Sequence, residues 1–156
     1  AFTGKYYQVP ARFARRKGSG IEISATGLKG KAVGVQRATT HDNFISGEFG
    51  SDVDIKRYAS QDEAYLDAAV GRLDLLLADS VAMQEGFLDT DNGKDWEFVG
   101  PGYTDVKYYG DGAGIAVSKS NQDLVDRFNK AIEAIRANGT YQKINAKYFD
   151  FDVFAG

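Results

Sequence analysis

Thr39, Thr40 and His41 at one point of the chain, and Asp79 at another, are the residues best placed to do chemistry, because each set stands where an apolar run stops. Val33-Gly34-Val35-Gln36 precedes the first set and Leu73-Asp74-Leu75-Leu76-Leu77-Ala78 the second. Both runs read as buried strands ending in small polar or acidic residues just before a helix, the position at which open α/β sheets bind small molecules. Thr39, Thr40 and His41 would then lie at a helix N-terminus, whose unpaired N–H groups and dipole favour an anion such as a carboxylate. Asp79 adds a fixed negative charge able to hold an ammonium group. Together the two ends suit a zwitterion.

The same residue types also serve a purely structural purpose. Thr39 or Thr40 fits the N-cap of a helix starting near His41, and Asp79 fits the N-cap of one starting at Ser80 or Val81. With one histidine and no cysteine in the chain, no His/Cys cluster is available to His41, so neither a metal nor a cofactor is expected.

The elements that must position these groups follow from composition and periodicity. At 156 residues and 43% hydrophobic content the chain can bury roughly two-thirds of its unfolded surface in a core of ordinary globular type. Its net charge of -3 argues against a nucleic-acid partner. The one basic cluster, Arg12, Arg15, Arg16 and Lys17, is short and reads as a solvated strand-to-loop face. Without cysteine there is no disulfide framework, thiolate zinc site or cysteine nucleophile, and either redox compartment is compatible. No apolar run approaches the ~20 residues that span a bilayer, and no stretch of the chain reads as a basic-then-apolar leader.

Apolar runs at 31–36, 53–58, 73–78, 96–99 and 114–117 read as strands, several continuous enough to be buried on both faces. Ser60-Gln61-Asp62-Glu63 is a capping box opening a helix that carries Ala64, Leu66, Ala68, Ala69 and Val70, and 81–88 reads as another helix. Strand, helix, strand order predicts parallel pairing with right-handed crossovers. Further on, Leu124, Val125, Phe128, Ala131, Ile132 and Ile135 repeat at helical spacing from a Ser120 or Asn121 cap to a Gly139 stop. A second helix from Thr140 is predicted to carry Tyr141, Ile144, Tyr148 and Phe149, and these aromatic stripes are expected to be core. Two extended segments that share a Lys-Tyr-Tyr start, Lys5-Tyr6-Tyr7 and Lys107-Tyr108-Tyr109, flank the α/β block, as expected of a lobe joined to something else by two crossing strands.

These stretches carry a resemblance. Phe2-Thr3-Gly4-Lys5-Tyr6-Tyr7, Leu28-Lys29-Gly30-Lys31-Ala32-Val33-Gly34-Val35, Ala69-Val70-Gly71-Arg72-Leu73-Asp74, Glu85-Gly86-Phe87-Leu88, Tyr109-Gly110-Asp111-Gly112 with Gly114-Ile115-Ala116, and Asn138-Gly139-Thr140-Tyr141 with Lys147-Tyr148-Phe149-Asp150 follow one another in a family-like order. The chain resembles the later part of a periplasmic amino-acid-binding protein of an ABC importer, most like the lysine/arginine/ornithine, histidine and opine binders. The resemblance implies an α/β lobe of the type II periplasmic-binding-protein kind, with a parallel-rich sheet flanked by helices, and a ligand held between two lobes. It implies a complete second lobe at 10–112, with 1–9 and 113–156 as crossing strands and the C-terminal remnant of a first lobe. It implies that Gln36, Thr39, Thr40 and His41 form the loop touching the ligand carboxylate and side chain, and that Asp79 pairs with the ligand α-amino group.

Two departures stand out. Ala38 occupies a position where Gly is common, and His41 one where Gln or another polar residue is common. The first-lobe region that in full members supplies an aromatic stack and a carboxylate-clamping arginine has no counterpart here, so a truncated chain is expected.

The resulting expectation is a non-enzymatic solute-binding component, or a fragment of one, in the periplasm. Its partners would be a polar or basic amino acid or derivative and the importer's membrane permease. Two other classes remain open. Relatives with this fold dehydrate cyclic acids such as prephenate or arogenate, for which only His41 or Asp79 could act as general acid or base. A dimeric interaction module is the other. A homodimer, by pairing or exchange of the extended segments and C-terminal helices, would cover an unfinished core.

Overall fold

In the computed structural model, which describes residues 1–149 and 151–154, the chain separates into two units. One comprises Ala1–Val9 with the chain from Tyr109 onward, and the other Pro10–Tyr108. Each folds around its own strands. The first strand of the chain, β1 (Phe2–Tyr7), belongs to the former unit.

Within Pro10–Tyr108 the elements run β2 (Ala11–Arg16), α1 (Ala25–Leu28), β3 (Ala32–Gln36), α2 (Thr40–Phe49), β4 (Asp54–Tyr58), α3 (Gln61–Ala69), β5 (Leu75–Asp79), α4 (Ser80–Met83), a π-helical turn (Gln84–Leu88) and β6 (Trp96–Tyr103). A short helix, α5 (Val106–Tyr109), follows, so Lys107-Tyr108-Tyr109 is helical rather than extended as expected. The sheet order is β4-β3-β5-β2-β6. β3 pairs in parallel with both β4 and β5, whereas β2 is antiparallel to both β5 and β6. β3, β4, β5 and β6 therefore all point one way, as helical crossovers require. β2 is the single reversed strand, inserted between β5 and β6, because it enters ahead of any crossover that would fix its direction. The sheet is mixed rather than wholly parallel.

β2 also corrects the reading of the basic cluster. Ala11, Phe13 and Ala14 are buried in the interior of the sheet, opposite Asp79, Leu77 and Leu76 of β5 in turn. Arg12 and Arg15 are half-buried and anchored, whereas Arg16 and Lys17 are exposed, as read. Arg15 pairs with Glu97 at 3.0 Å and donates to the Ile21 carbonyl, and the Arg12 guanidinium lies 4.4 Å from the centre of the Phe98 ring.

β5 is buried along its length up to Ala78 because it is an interior strand covered on both faces. One face packs against Tyr65, Ala64 and Ala68 of α3 with Met83, Phe87 and Trp96, the Tyr65 and Phe87 rings being stacked at 5.0 Å. An aromatic group of Phe13, Phe44, Phe49 and Tyr103 makes edge and tilted ring contacts elsewhere in the unit. The buried ones, Phe13, Phe44, Phe87 and Met83 among them, each contribute about 1.5–3 kcal/mol by leaving water. The capping box forms as spaced: Ser60 Oγ accepts the Glu63 N–H while the Glu63 carboxylate accepts the Ser60 N–H. The helix expected over 81–88 is broken, with one turn of α-helix passing into the π-helical turn.

In the other unit, β1 pairs antiparallel with β7 (Ala113–Ala116) in a two-stranded ribbon. The strands expected to pair with a second copy thus find each other within the chain. α6 (Gln122–Ala137) packs on β1, and Gly139, at φ +80°, turns the chain into α7 (Thr140–Asn145). The Arg136 guanidinium lies 3.4 Å and the Lys5 ammonium 4.9 Å from the centre of the Phe154 ring.

Two expectations fail in this unit. α7 ends at Asn145, so Tyr148 and Phe149 lie beyond it rather than on its face. The aromatic and aliphatic row is not core: of the α6 residues only Val125 is buried, Leu124, Phe128, Ile132 and Ile135 are half-buried, and Ala131 is exposed. Ile144 and Tyr148 are 51% and 73% exposed. A two-stranded ribbon offers one small face, too little to bury two helices. Asp150, part of the family-like Lys147-Tyr148-Phe149-Asp150 stretch, lies outside the described residues.

Candidate functional site

β3 and β5 are direct parallel neighbours, in register at Val33–Leu75 and Gly34–Leu76, so their carboxyl ends open side by side. Beyond β3 the chain turns at Arg37-Ala38-Thr39 into α2, and beyond β5 it turns at Asp79 into α4. Four of the five candidate residues, Thr39, Thr40, His41 and Asp79, come together at these two ends. Gln36 closes β3, and its side-chain amide is drawn the other way, towards the Ala59 carbonyl just past β4.

The turn after β3 is unusual in its backbone. Ala38 has φ +58°, the only described non-glycine residue with positive φ, in a region that costs an L-residue roughly 1–2 kcal/mol. Several bonds hold it there. The Ala38 N–H donates to Asp42 Oδ2 at 3.0 Å, and Thr39 Oγ1 both donates to the Gln36 carbonyl at 2.8 Å and accepts the Asp42 N–H at 3.2 Å. Thr39 is therefore the N-cap of α2, and Thr40, exposed, is its first residue. Asp42, only 8% exposed, has its other carboxylate oxygen, Oδ1, occupied by Arg57 Nε of β4 at 2.8 Å and by Ser46 Oγ at 3.2 Å.

The end of β5 has a cap as well. Asp79 Oδ1 accepts the Ala82 N–H at 2.9 Å, which uses one of its two carboxylate oxygens. The cap reading and the ligand reading are compatible at this residue. His41 is half-buried, and burial pushes its imidazole below the ordinary 6.5 while the nearby Asp79 charge pulls the other way. That coupling ties the two strand ends together electrostatically. A helix start, which favours an anion, and a carboxylate, which favours a cation, thus stand at the ends of neighbouring strands.

Asp42, Ser46 and Arg57 were not singled out from the sequence. The Thr39-Thr40-His41-Asp42 spacing is that of a capping box and carries the signal for Asp42. Arg57 had none, since it meets Asp42 only through the β3–β4 pairing, in which Val35 lies opposite Arg57. Among the described residues no group of three or more His, Asp or Glu side chains is placed to hold a metal ion. No helix among them is long and apolar enough to cross a membrane.

Comparison with known proteins decides the family. The model of bacterial extracellular solute-binding proteins, family 3, matches residues 1–151. The chain belongs to that family. It is 50% identical over 154 residues to the L-arginine-binding protein of Pseudomonas aeruginosa, covering 98% of this chain and 60% of that protein. It is 44% identical to the lysine/arginine/ornithine-binding periplasmic protein of Escherichia coli, covering 99% and 60%. The chain thus spans about 60% of the length of the curated relatives it matches. Among solved structures, a Salmonella typhimurium periplasmic binding protein described as highly arginine-specific superposes with a TM-score of 0.76 at 29% identity, covering 96% of this chain and 64% of that one. An ancestral arginine-binding protein bound to arginine gives 0.74, again at 29% identity, with 95% and 63% covered. The fold is thereby that of the periplasmic binding proteins, and these relatives are named for binding rather than for catalysis.

Proposed function

We propose that the chain serves as the solute-binding component of an amino-acid ABC importer, working in the periplasm with a membrane permease and taking a basic amino acid. The observation that carries this reading is the pairing of unlike strand ends in one sheet. The α2 N-terminus receives the ligand carboxylate, through the Thr40 N–H and with Thr39 and His41 beside it, and Asp79 receives the α-ammonium. Gln36 lines the rim towards β4. The relatives' names support a cationic side chain and a binding role over the dehydratase alternative. Residues 10–112 act as the second lobe of such a protein, a reading supported by the separate unit Pro10–Tyr108.

The expected affinity for this chain is weak, about millimolar. Thr40 is exposed and Asp79 half-buried, so the site encloses little of a ligand that would need most of its surface covered for tight binding. Amide-resolved NMR titration with L-arginine, L-lysine, L-histidine and L-glutamate tests the reading. Saturable shifts at Thr40 and Ala82 with the cationic amino acids and none with L-glutamate support it. Shifts elsewhere, or none up to the solubility of L-arginine, contradict it.

A second reading concerns assembly. The half-buried row of α6 and the exposed Phe2, Ile144 and Tyr148 support a homodimer in which two copies cover these faces. Light scattering distinguishes a 34 kDa dimer, about twice the 17.0 kDa chain, from a monomer.

A further inference from the structure

Within the amino-acid-binding reading above, we propose that Arg57 is a positioning residue that makes the start of α2 hospitable to a carboxylate by neutralising Asp42.

The problem it solves is electrostatic. An acidic side chain in the first turn stabilises a helix, because its charge complements the N-terminal end of the dipole. That same charge opposes any second anion arriving at the same end. Asp42 is such a residue, and its carboxylate is fixed in place rather than mobile: Oδ2 accepts the Ala38 N–H and Oδ1 faces Arg57. An acceptor oxygen is needed at this position, since it is what holds Ala38 at φ +58° and so shapes the turn between β3 and α2, and an asparagine would supply that oxygen without the charge.

Arg57 reconciles the two demands. Its Nε donates to Asp42 Oδ1 at 2.8 Å and its Nη2 to Ser46 Oγ at 2.8 Å, while Ser46 Oγ in turn donates to Asp42 Oδ1. The guanidinium is therefore oriented by two contacts on α2, one of them an ion pair with a nearly buried partner. The pair carries no net charge, so the helix start keeps its attraction for an anion. With its Nε and Nη2 engaged on α2, Arg57 acts through Asp42 rather than by touching the ligand. About half of its side chain is exposed, so its removal leaves no cavity in the core.

The test separates charge from architecture by using two probes, L-arginine and L-argininamide, which differ in the carboxylate alone. NMR titrations are run on the full chain and on Arg57→Met, Arg57→Lys and the double variant Asp42→Asn/Arg57→Met. The expected result is that Arg57→Met weakens L-arginine about fivefold, the worth of one charge at a helix end. L-Argininamide should be unchanged or slightly tighter. Arg57→Lys and the double variant should both recover L-arginine binding, the first by restoring the positive charge and the second by removing the negative one. Equal weakening of both probes, or no weakening of either, overturns the proposal while leaving the amino-acid reading intact. Absence of L-arginine shifts at Thr40 in the unmodified chain overturns that reading and this proposal with it.

Discussion

β5 and α6 carry comparable runs of apolar residues, and they end up in opposite states. Leu75, Leu76, Leu77 and Ala78 are buried because β5 is an interior strand with β3 and β2 beside it and helices over it. Leu124, Phe128, Ile132 and Ile135 stay half-buried because the elements α6 packs on, β1 of a two-stranded ribbon and the short α7, are too small to cover that face. An apolar row states which face needs covering. What covers it depends on how many strands the same unit can lay against it.

The largest effect that can break this contrast is a pair of truncations. Leu76→Ala, at a fully buried position, should cost about 3–5 kcal/mol, and Ile132→Ala about 1 kcal/mol or less. Urea denaturation at a fixed protein concentration measures both. Equal costs would show that the α6 face is as well packed as the sheet interior.

How much of this was legible beforehand divides along the same line. β3, β5 and the Ser60–Glu63 capping box were readable because their signals are local: an apolar run, a cap, a helix period. The cap roles of Thr39 and Asp79 were readable for the same reason. The central place of β2 was not, since nothing within Ala11–Arg16 says which strands will flank it. β6 runs on past the expected end at Val99 through Gly100-Pro101-Gly102, and it can do so because it is an edge strand where Pro need not donate to a neighbour. On the candidate site, the placing of Thr40 and Asp79 at the ends of parallel strands followed from the apolar runs before them, whereas Arg57 depended on a register between β3 and β4 that no spacing encodes.

A sharper probe of the site's own strain is Ala38→Gly. Removing the Cβ from a residue at φ +58° should stabilise the chain by about 1 kcal/mol, provided the Asp42 bond to its N–H is kept. The urea midpoint reads it. A destabilised variant would mean that the turn is held by contacts of the Ala38 methyl group rather than tolerated in spite of it.

The smallest expected effect is on pH dependence. Because burial holds His41 below 6.5 in the folded chain, the unfolded chain binds more protons between that lowered value and 6.5. Stability is fully present above 6.5 and declines as pH falls through the folded value. His41→Gln should flatten this part of the curve, and as the chain has one histidine, its ring-proton NMR titration reports the folded value directly. A midpoint above 6.5 would reverse the sign and place the Asp79 attraction ahead of burial.

The central claim, that two neighbouring strand ends grip the two ends of a zwitterion, is tested most directly by removing one charge from each side. L-Arginine and its analogue lacking the α-amino group, 5-guanidinopentanoic acid, are titrated into the unmodified chain and into Asp79→Asn. The prediction is that Asp79→Asn weakens L-arginine about tenfold, the worth of a charged hydrogen bond, and leaves the analogue unchanged. Equal losses for both ligands, or none for L-arginine, would contradict the assignment of Asp79 to the ammonium group.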